Sequence, residues 1–179
     1  MHRYVAFLRA INVGGHTVRM DRLRALFEEL RLQKVETFIA SGNVLFDTTT
    51  KDIPGLERRI ETRLARSLGF DVATFVREMA TLPAVLANHP FDAATDSGHT
   101  MFVGFLKLPP DAGVLKRMQS LNTEHDHFHL HDREAYWLRR TGLSDSRLGG
   151  PLQKALGAPT TFRNVTTIRR LAARFASPG

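Results

Sequence analysis

Cysteine is absent from this 179-residue chain, which excludes disulfides, thiolate metal sites and a cysteine nucleophile. No apolar run approaches the roughly 18–20 residues of a membrane span, and the N-terminus carries no signal-peptide pattern. A soluble cytoplasmic protein without membrane partners is therefore expected. Three familiar catalytic signatures are also missing: the phosphate-binding P-loop, G-x-S-x-G and H-E-x-x-H. Lysine is scarce, since 20 of the 25 basic residues are arginine and the net charge is +7. Arginine's planar fork suits phosphates, carboxylates and nucleic acid. The arginines are spread along the chain, however, as they would be in a genome that simply prefers arginine.

The remaining composition, 42% hydrophobic and 24% charged, is that of an ordinary globular protein. Residues 3–9 read as a strand with apolar side chains on both faces, so a central, covered position is expected. Leu23, Leu26, Phe27 and Leu30 mark one face of a helix over 20–31. Two β-rich runs, 34–40 and 44–47, flank the turn signal Ser41-Gly42-Asn43. A second amphipathic helix over 53–68 carries Leu56, Ile60 and Leu64, and a fourth strand covers 72–77.

That order is βαββαβ, the ferredoxin-like unit, followed by a helical segment near 78–88. A second βαββ is expected from strands at 101–107, 126–131 and 134–139 with a helix near 110–121. A short helix near 151–156 and a terminal helix over 164–175 complete the chain. The expected architecture is α+β, two ferredoxin-like halves with mainly antiparallel sheets packed together and a C-terminal helix. The divisions are 1–90 for the first half, 91–99 for a connector and 100–179 for the second half. The repeat is one of topology, without obvious sequence likeness.

In a βαββαβ sheet the first and second strands are parallel and separated by the third. The exit of strand one and the hairpin after strand two therefore share one edge. Arg9, Asn12, Gly14, Gly15 and His16 fall there, with Ser41, Gly42 and Asn43 and the N-terminus of the first helix. Backbone donors, two amides, a hydroxyl, a guanidinium and a helix dipole make this a candidate phosphate or carboxylate pocket. Each motif alone has a plain alternative, because glycine pairs and Ser-Gly-Asn turns commonly serve geometry.

The run Tyr4 to Gly15, the segment Met20 to Leu26 and Ser41-Gly42-Asn43-Val44-Leu45-Phe46 resemble a mostly bacterial family called domain of unknown function 1697. Phe75-Val76-Arg77, Asn88-His89-Pro90-Phe91 and Thr161 through Leu171, with Arg163-Asn164 and Thr167, extend the resemblance along nearly the whole chain. Two positions depart. Val165 follows Arg163-Asn164 where the family often has an aromatic, and Ser146-Arg147-Leu148 stands where it often has Ser-Lys-Leu. The resemblance implies a fold and no established activity or cofactor. Asn164 reads as the N-cap of the terminal helix. Arg163 is a candidate second cation for the glycine-loop edge.

His125, His127, His129 and His131 alternate, which places four imidazoles on one strand face, with Phe128 and Leu130 on the other. Histidines at i, i+2, such as His127 and His129, are candidate metal ligands. A flat strand face seldom closes a coordination shell, so the expectation is solvated histidines and no metal.

The leading functional reading is binding of a small anionic, phosphorylated ligand at the edge formed by 9–16 and 41–43. Nucleic-acid binding is the alternative, because RNA-recognition domains share the topology. Against it, Val44-Leu45-Phe46-Asp47 has one aromatic and an acid where stacking and basic residues are wanted. A transferase or hydrolase acting on a phosphorylated substrate is a third reading, in which His16 can serve Ser41 as a base only if the two loops touch. No sequence feature fixes the oligomeric state.

Overall fold

The computed structural model describes residues 1–12, 16–39, 42–91, 99–140 and 149–176. Among the expected site residues, Gly14, Gly15 and Ser41 lie outside these, as do the connector residues 92–98 and Ser146-Arg147-Leu148. The chain divides into two compact units, Met1–Thr81 and Leu82–Gly179.

In the first unit the elements are β1 (His2–Leu8), α1 (Met20–Glu28), β2 (Gln33–Thr37), β3 (Asn43–Thr48), α2 (Ile53–Leu68) and β4 (Thr74–Glu78), then a 3-10 turn over Met79–Thr81. The strands lie in the order β2-β3-β1-β4, every neighbouring pair antiparallel. That is the ferredoxin-like arrangement, with the first strand inside the sheet. Tyr4, Ala6 and Leu8 of β1 join Val44, Phe46 and Val76 beneath Leu23, Leu26 and Phe27 of α1 and Leu56, Ile60 and Leu64 of α2. The helix positions recur at i, i+3, i+4 and at i, i+4, i+8, the spacing of one buried stripe. Val5 and Phe7 on the opposite face of β1 are also fully buried, as their apolar character requires.

Local signals fix α2 at both ends. Asp52 accepts the Gly55 N–H at 2.9 Å, Pro54 occupies the first turn, and Gly69 closes the helix at φ 80°. The same helix completes the sheet. Glu57 accepts the Val76 N–H and Glu61 the Thr74 N–H, both at 2.8 Å. Carboxylates one helical turn apart rise about 6 Å, close to the about 6.6 Å between alternate strand amides. Two carboxylates thus serve amides on the outer side of edge strand β4, which would otherwise be open to another strand.

The second unit contains α3 (Leu82–Ala87), β5 (His99–Phe105), α4 (Ala112–Gln119), β6 (Asp126–His131), β7 (Glu134–Arg140), α5 (Gly149–Leu156), β8 (Thr161–Asn164) and α6 (Val165–Ala176). Its order is β6-β7-β5-β8, again wholly antiparallel. From β5 to β8 it is therefore a complete βαββαβ unit, where the sequence suggests only βαββ. The fourth strand is four residues long and runs straight into α6, so it has no alternation long enough to read. Asn164 both ends β8 and caps α6, accepting the Thr166 N–H at 2.8 Å. Phe162 of β8 lies against Gly104 of β5, where an added Cβ would come within 2.5 Å of the ring. The helix α3 packs on α6, which accounts for a division at 81/82 rather than 90/91.

The α2–β4 clamp makes a direct prediction. Glu57 is buried, so Glu57→Ala leaves the Val76 N–H without its acceptor and should cost about 1–3 kcal/mol in urea unfolding. Glu57→Gln, which keeps an acceptor oxygen, should cost less. Equal losses for the two variants would mean that the bond contributes little.

Candidate functional site

The candidate edge is built by the exit of β1. Leu8 donates its N–H to the Gly42 carbonyl and the next residue, Arg9, donates to the Ala73 carbonyl, both at 2.8 Å. The chain is thus held on one side by the β2–β3 hairpin and on the other by the segment leading into β4. Beyond this point the backbone turns sharply, with Ala10 at φ 65° and Asn12 at φ 57°. Opposite, Ile39 at φ 57° and Gly42 at φ 72° turn the hairpin. A Cβ at Gly42 would lie 3.1 Å from the Ile11 Cβ and 3.2 Å from the Leu8 Cβ, a tight fit that adds to the preference for glycine set by φ. The two loops do touch.

The side chains divide into those that shape the edge and those left at its surface. Asn12 Oδ1 accepts the Val18 N–H at 2.7 Å, closing its loop. Asn43 is fully buried, and its Nδ2 donates to the Phe38 carbonyl at 3.0 Å. Both amides serve the backbone of the loops that carry them. Arg9 is exposed, and among the described residues its guanidinium has no ion pair. His16 is exposed, and its ring stacks on Phe70, with centroids 4.1 Å apart at 25°. Phe70 is a site neighbour that sequence reasoning does not single out. It follows the closing glycine of α2, where an apolar residue ordinarily makes a helix-end contact.

The first helix is a poorer anion donor than its position suggests. Arg19 at its N-cap makes no side-chain cap, and Asp21 in the first turn accepts the Arg22 N–H at 2.9 Å. Its hydrogen bond from Arg19 holds the Asp21 carboxyl below the ordinary carboxylate range. The positive end of α1 therefore already has a carboxylate of its own.

Arg163 lies in the second unit, on β8 opposite Val103. It is buried, and its Nη1 donates to Thr161 Oγ1 at 2.8 Å and to the Phe162 carbonyl at 2.9 Å. Burial pulls its pKa down to about 10. Arg77 repeats this placement in the first unit. It pairs with Val5, is buried, and its Nη1 donates to the carbonyl of the preceding residue, Val76, at 3.0 Å. A buried arginine on the fourth strand is thus a feature of both units, one the sequences do not announce.

The three ladder histidines that lie on β6 have the expected facing, and His125 precedes the strand. Phe128 pairs with Trp137 and Leu130 with Ala135, while His127, His129 and His131 alternate with them on β6. Among the described residues no group of three or more His, Cys, Asp or Glu side chains is arranged to hold a metal ion. His129 instead meets aromatic rings, with Tyr136 at 6.1 Å and Phe91 at 6.4 Å. His89 packs beside them, 5.7 Å from Tyr136, and its Nδ1 accepts the Phe91 N–H at 3.2 Å. Burial lowers the His129 pKa, and repulsion from His131 and His89 lowers it further.

A pH dependence follows. Below about pH 6.5, the unfolded chain takes up a proton at residue 129 that the folded chain resists. This contribution to stability is complete above that pH and declines as the pH falls. Thermal unfolding at about pH 7.5 and about pH 5.5 should show a larger acid loss for wild type than for His129→Asn. An identical loss in the two proteins would contradict this account of His129.

Comparison with known proteins agrees with the fold. The solved structure of the conserved bacterial protein SP0830 from Streptococcus pneumoniae is similar at 23% identity and a TM-score of 0.72, covering 99% of this chain and 99% of that one. At that identity the likeness speaks to the fold alone. None of the curated proteins matches. Among the described residues no helix is long and apolar enough to cross a membrane. A family model described as "Protein of unknown function (DUF1697)" matches residues 1–136. The stretch 161–171 lies beyond that match and within the structural one. With the first unit and the second as far as β7 inside the match, the chain belongs to the family of unknown function DUF1697.

Proposed function

We propose that this protein binds a small phosphorylated ligand at the edge of its first unit, the edge assigned in the sequence to residues 9–16 and 41–43. The observation that carries the reading is the concentration of left-handed backbone. Of six non-glycine residues with positive φ among those described, Ala10 and Asn12 lie in the first of these loops and Ile39 lies two residues before the second. Such conformations cost on the order of 1 kcal/mol or more each, and they gather where a chain is shaped for binding. For a β-branched isoleucine the preference against this region is strongest.

In this reading Arg9 supplies the charge. Its guanidinium presents parallel N–H donors that match two phosphate oxygens, and the backbone amides of the turn supply further donors. Asn12 and Asn43 hold the loops that present these groups, and Gly42 lets the loops approach. Gly14, Gly15 and Ser41 are assigned to the same edge by their places in the sequence. The reading needs no contribution from Arg163, and it assigns no reaction.

Arg9→Gln tests it, because the residue is exposed and the change should leave the unfolding midpoint within about 1 °C. With ribose 5-phosphate at about a hundred times its dissociation constant, wild type should gain about 2.7 kcal/mol of stability. Loss of a charge-assisted pair should weaken binding to the variant about tenfold or more. Equal affinity in the two proteins would remove Arg9 from the site, and failure of wild type to bind any phosphorylated compound would end the proposal.

A further inference from the structure

Phe70 is half-buried against the core of the first unit and covers one face of the His16 imidazole at 4.1 Å. The residue remains exposed, so one flat face of the ring is available to solvent. Asn12 closes the loop just beyond His16 by accepting the Val18 N–H. The imidazole is therefore already oriented, and a planar ligand ring laid on it would incur little of the usual ordering cost. Histidine is among the side chains on which nucleobases stack.

Three residues of chain lead from Phe70 to Ala73, a span of at most about 10 Å. Ala73 is where the Arg9 N–H is bound. An aromatic platform and the backbone of an exposed arginine thus stand at the two ends of one short segment. Between this segment and α2 lies a groove of about 470 Å³, lined by residues 71–73 and by Glu61, Thr62, Ala65 and Arg66. That volume falls within the range of small-ligand clefts, about 300–1,000 Å³. Its charges are mixed. Glu61 is engaged with the Thr74 N–H, and Asp71 and Arg66 are exposed. Two carboxylates disfavour a bare anion inside the groove, and carboxylate oxygens are good acceptors for sugar hydroxyls. The phosphate then belongs at the Arg9 end.

Resting on the anion-binding reading above, we infer that the ligand is a nucleoside monophosphate, its base stacked on His16 against Phe70 and its ribose in the groove between α2 and residues 71–73. The base adds affinity that a sugar phosphate lacks. Arg66, in the last turn of α2, lines the same groove and supplies a second cation. The exocyclic groups of the base are left unread, so the purine bases should bind alike.

Isothermal titration with adenosine 5′-monophosphate and ribose 5-phosphate separates this inference from the one beneath it. Wild type should bind the nucleotide about tenfold or more tightly than the sugar phosphate, in keeping with the usual strength of base–aromatic stacking. His16→Ala should abolish that preference by weakening adenosine 5′-monophosphate binding far more than ribose 5-phosphate binding, and His16→Phe should retain it. Circular dichroism and the unfolding midpoint check that both variants are folded. Equal affinities of wild type for the two compounds would overturn the nucleotide inference and leave the anion site standing. A preference that survives in His16→Ala would overturn the stacking role. Binding of neither compound would overturn both proposals.

Discussion

Two consecutive amides at the end of β1 set the geometry on which the candidate site depends. Because β1 lies between β3 and β4, the N–H of Leu8 points to one neighbour and that of Arg9 to the other. The chain cannot drift as it leaves the sheet, and it must turn at once between the hairpin and the segment before β4. Left-handed residues at 10 and 12, and a left-handed glycine at 42 packed closely on Leu8 and Ile11, follow from that confinement. The second unit repeats the first half of the device, since the Leu106 N–H is bound by the Arg133 carbonyl at 2.9 Å. There the loop that follows β5 has no left-handed residue among those described, and in the hairpin only Asp132 has positive φ, whereas in the first unit both the strand exit and the hairpin carry such residues.

The titratable groups at hand mostly support the fold. Carboxylates at i, i+4 on a helix are a natural acid–base pair, yet Glu57 and Glu61 both accept amides of β4. Asp126 accepts the Trp137 indole N–H at 2.7 Å, and Asp52 and Asp111 cap helices. Arg77 and Arg163 are buried and bonded to backbone carbonyls. Among the described residues, the exposed titratable groups of the 9–16 and 41–43 edge are a guanidinium and an imidazole. Such a pair is suited to holding an anionic, planar ligand.

Much of the first unit was legible because its signals are local. Asp52, Pro54 and Gly69 bound α2 to the residue, and the apolar stripe between them gives its buried face. The edge itself followed from strand order alone. Several features had no local signature. Four residues of β8 carry too little alternation to read, and pairing with β5 makes them a strand. The stack of His16 on Phe70 joins residues 54 positions apart through the fold. Asn12 and Asn43 looked like ligand groups by type, and only their hydrogen bonds show that they hold the loops. Lys34 and Asp132, also left-handed, have no comparable signal in the sequence.

The proposed site is one place in the chain, so the most direct test is to map where a phosphorylated ligand acts. Backbone amide resonances of the isotope-labelled protein, followed through a titration with ribose 5-phosphate, provide that map. The account predicts progressive, saturating shifts at Arg9, Ala10, Ile11 and Gly42, with the amides of β5 to β8 unmoved. Saturating shifts confined to another region, or none at any concentration, would contradict it.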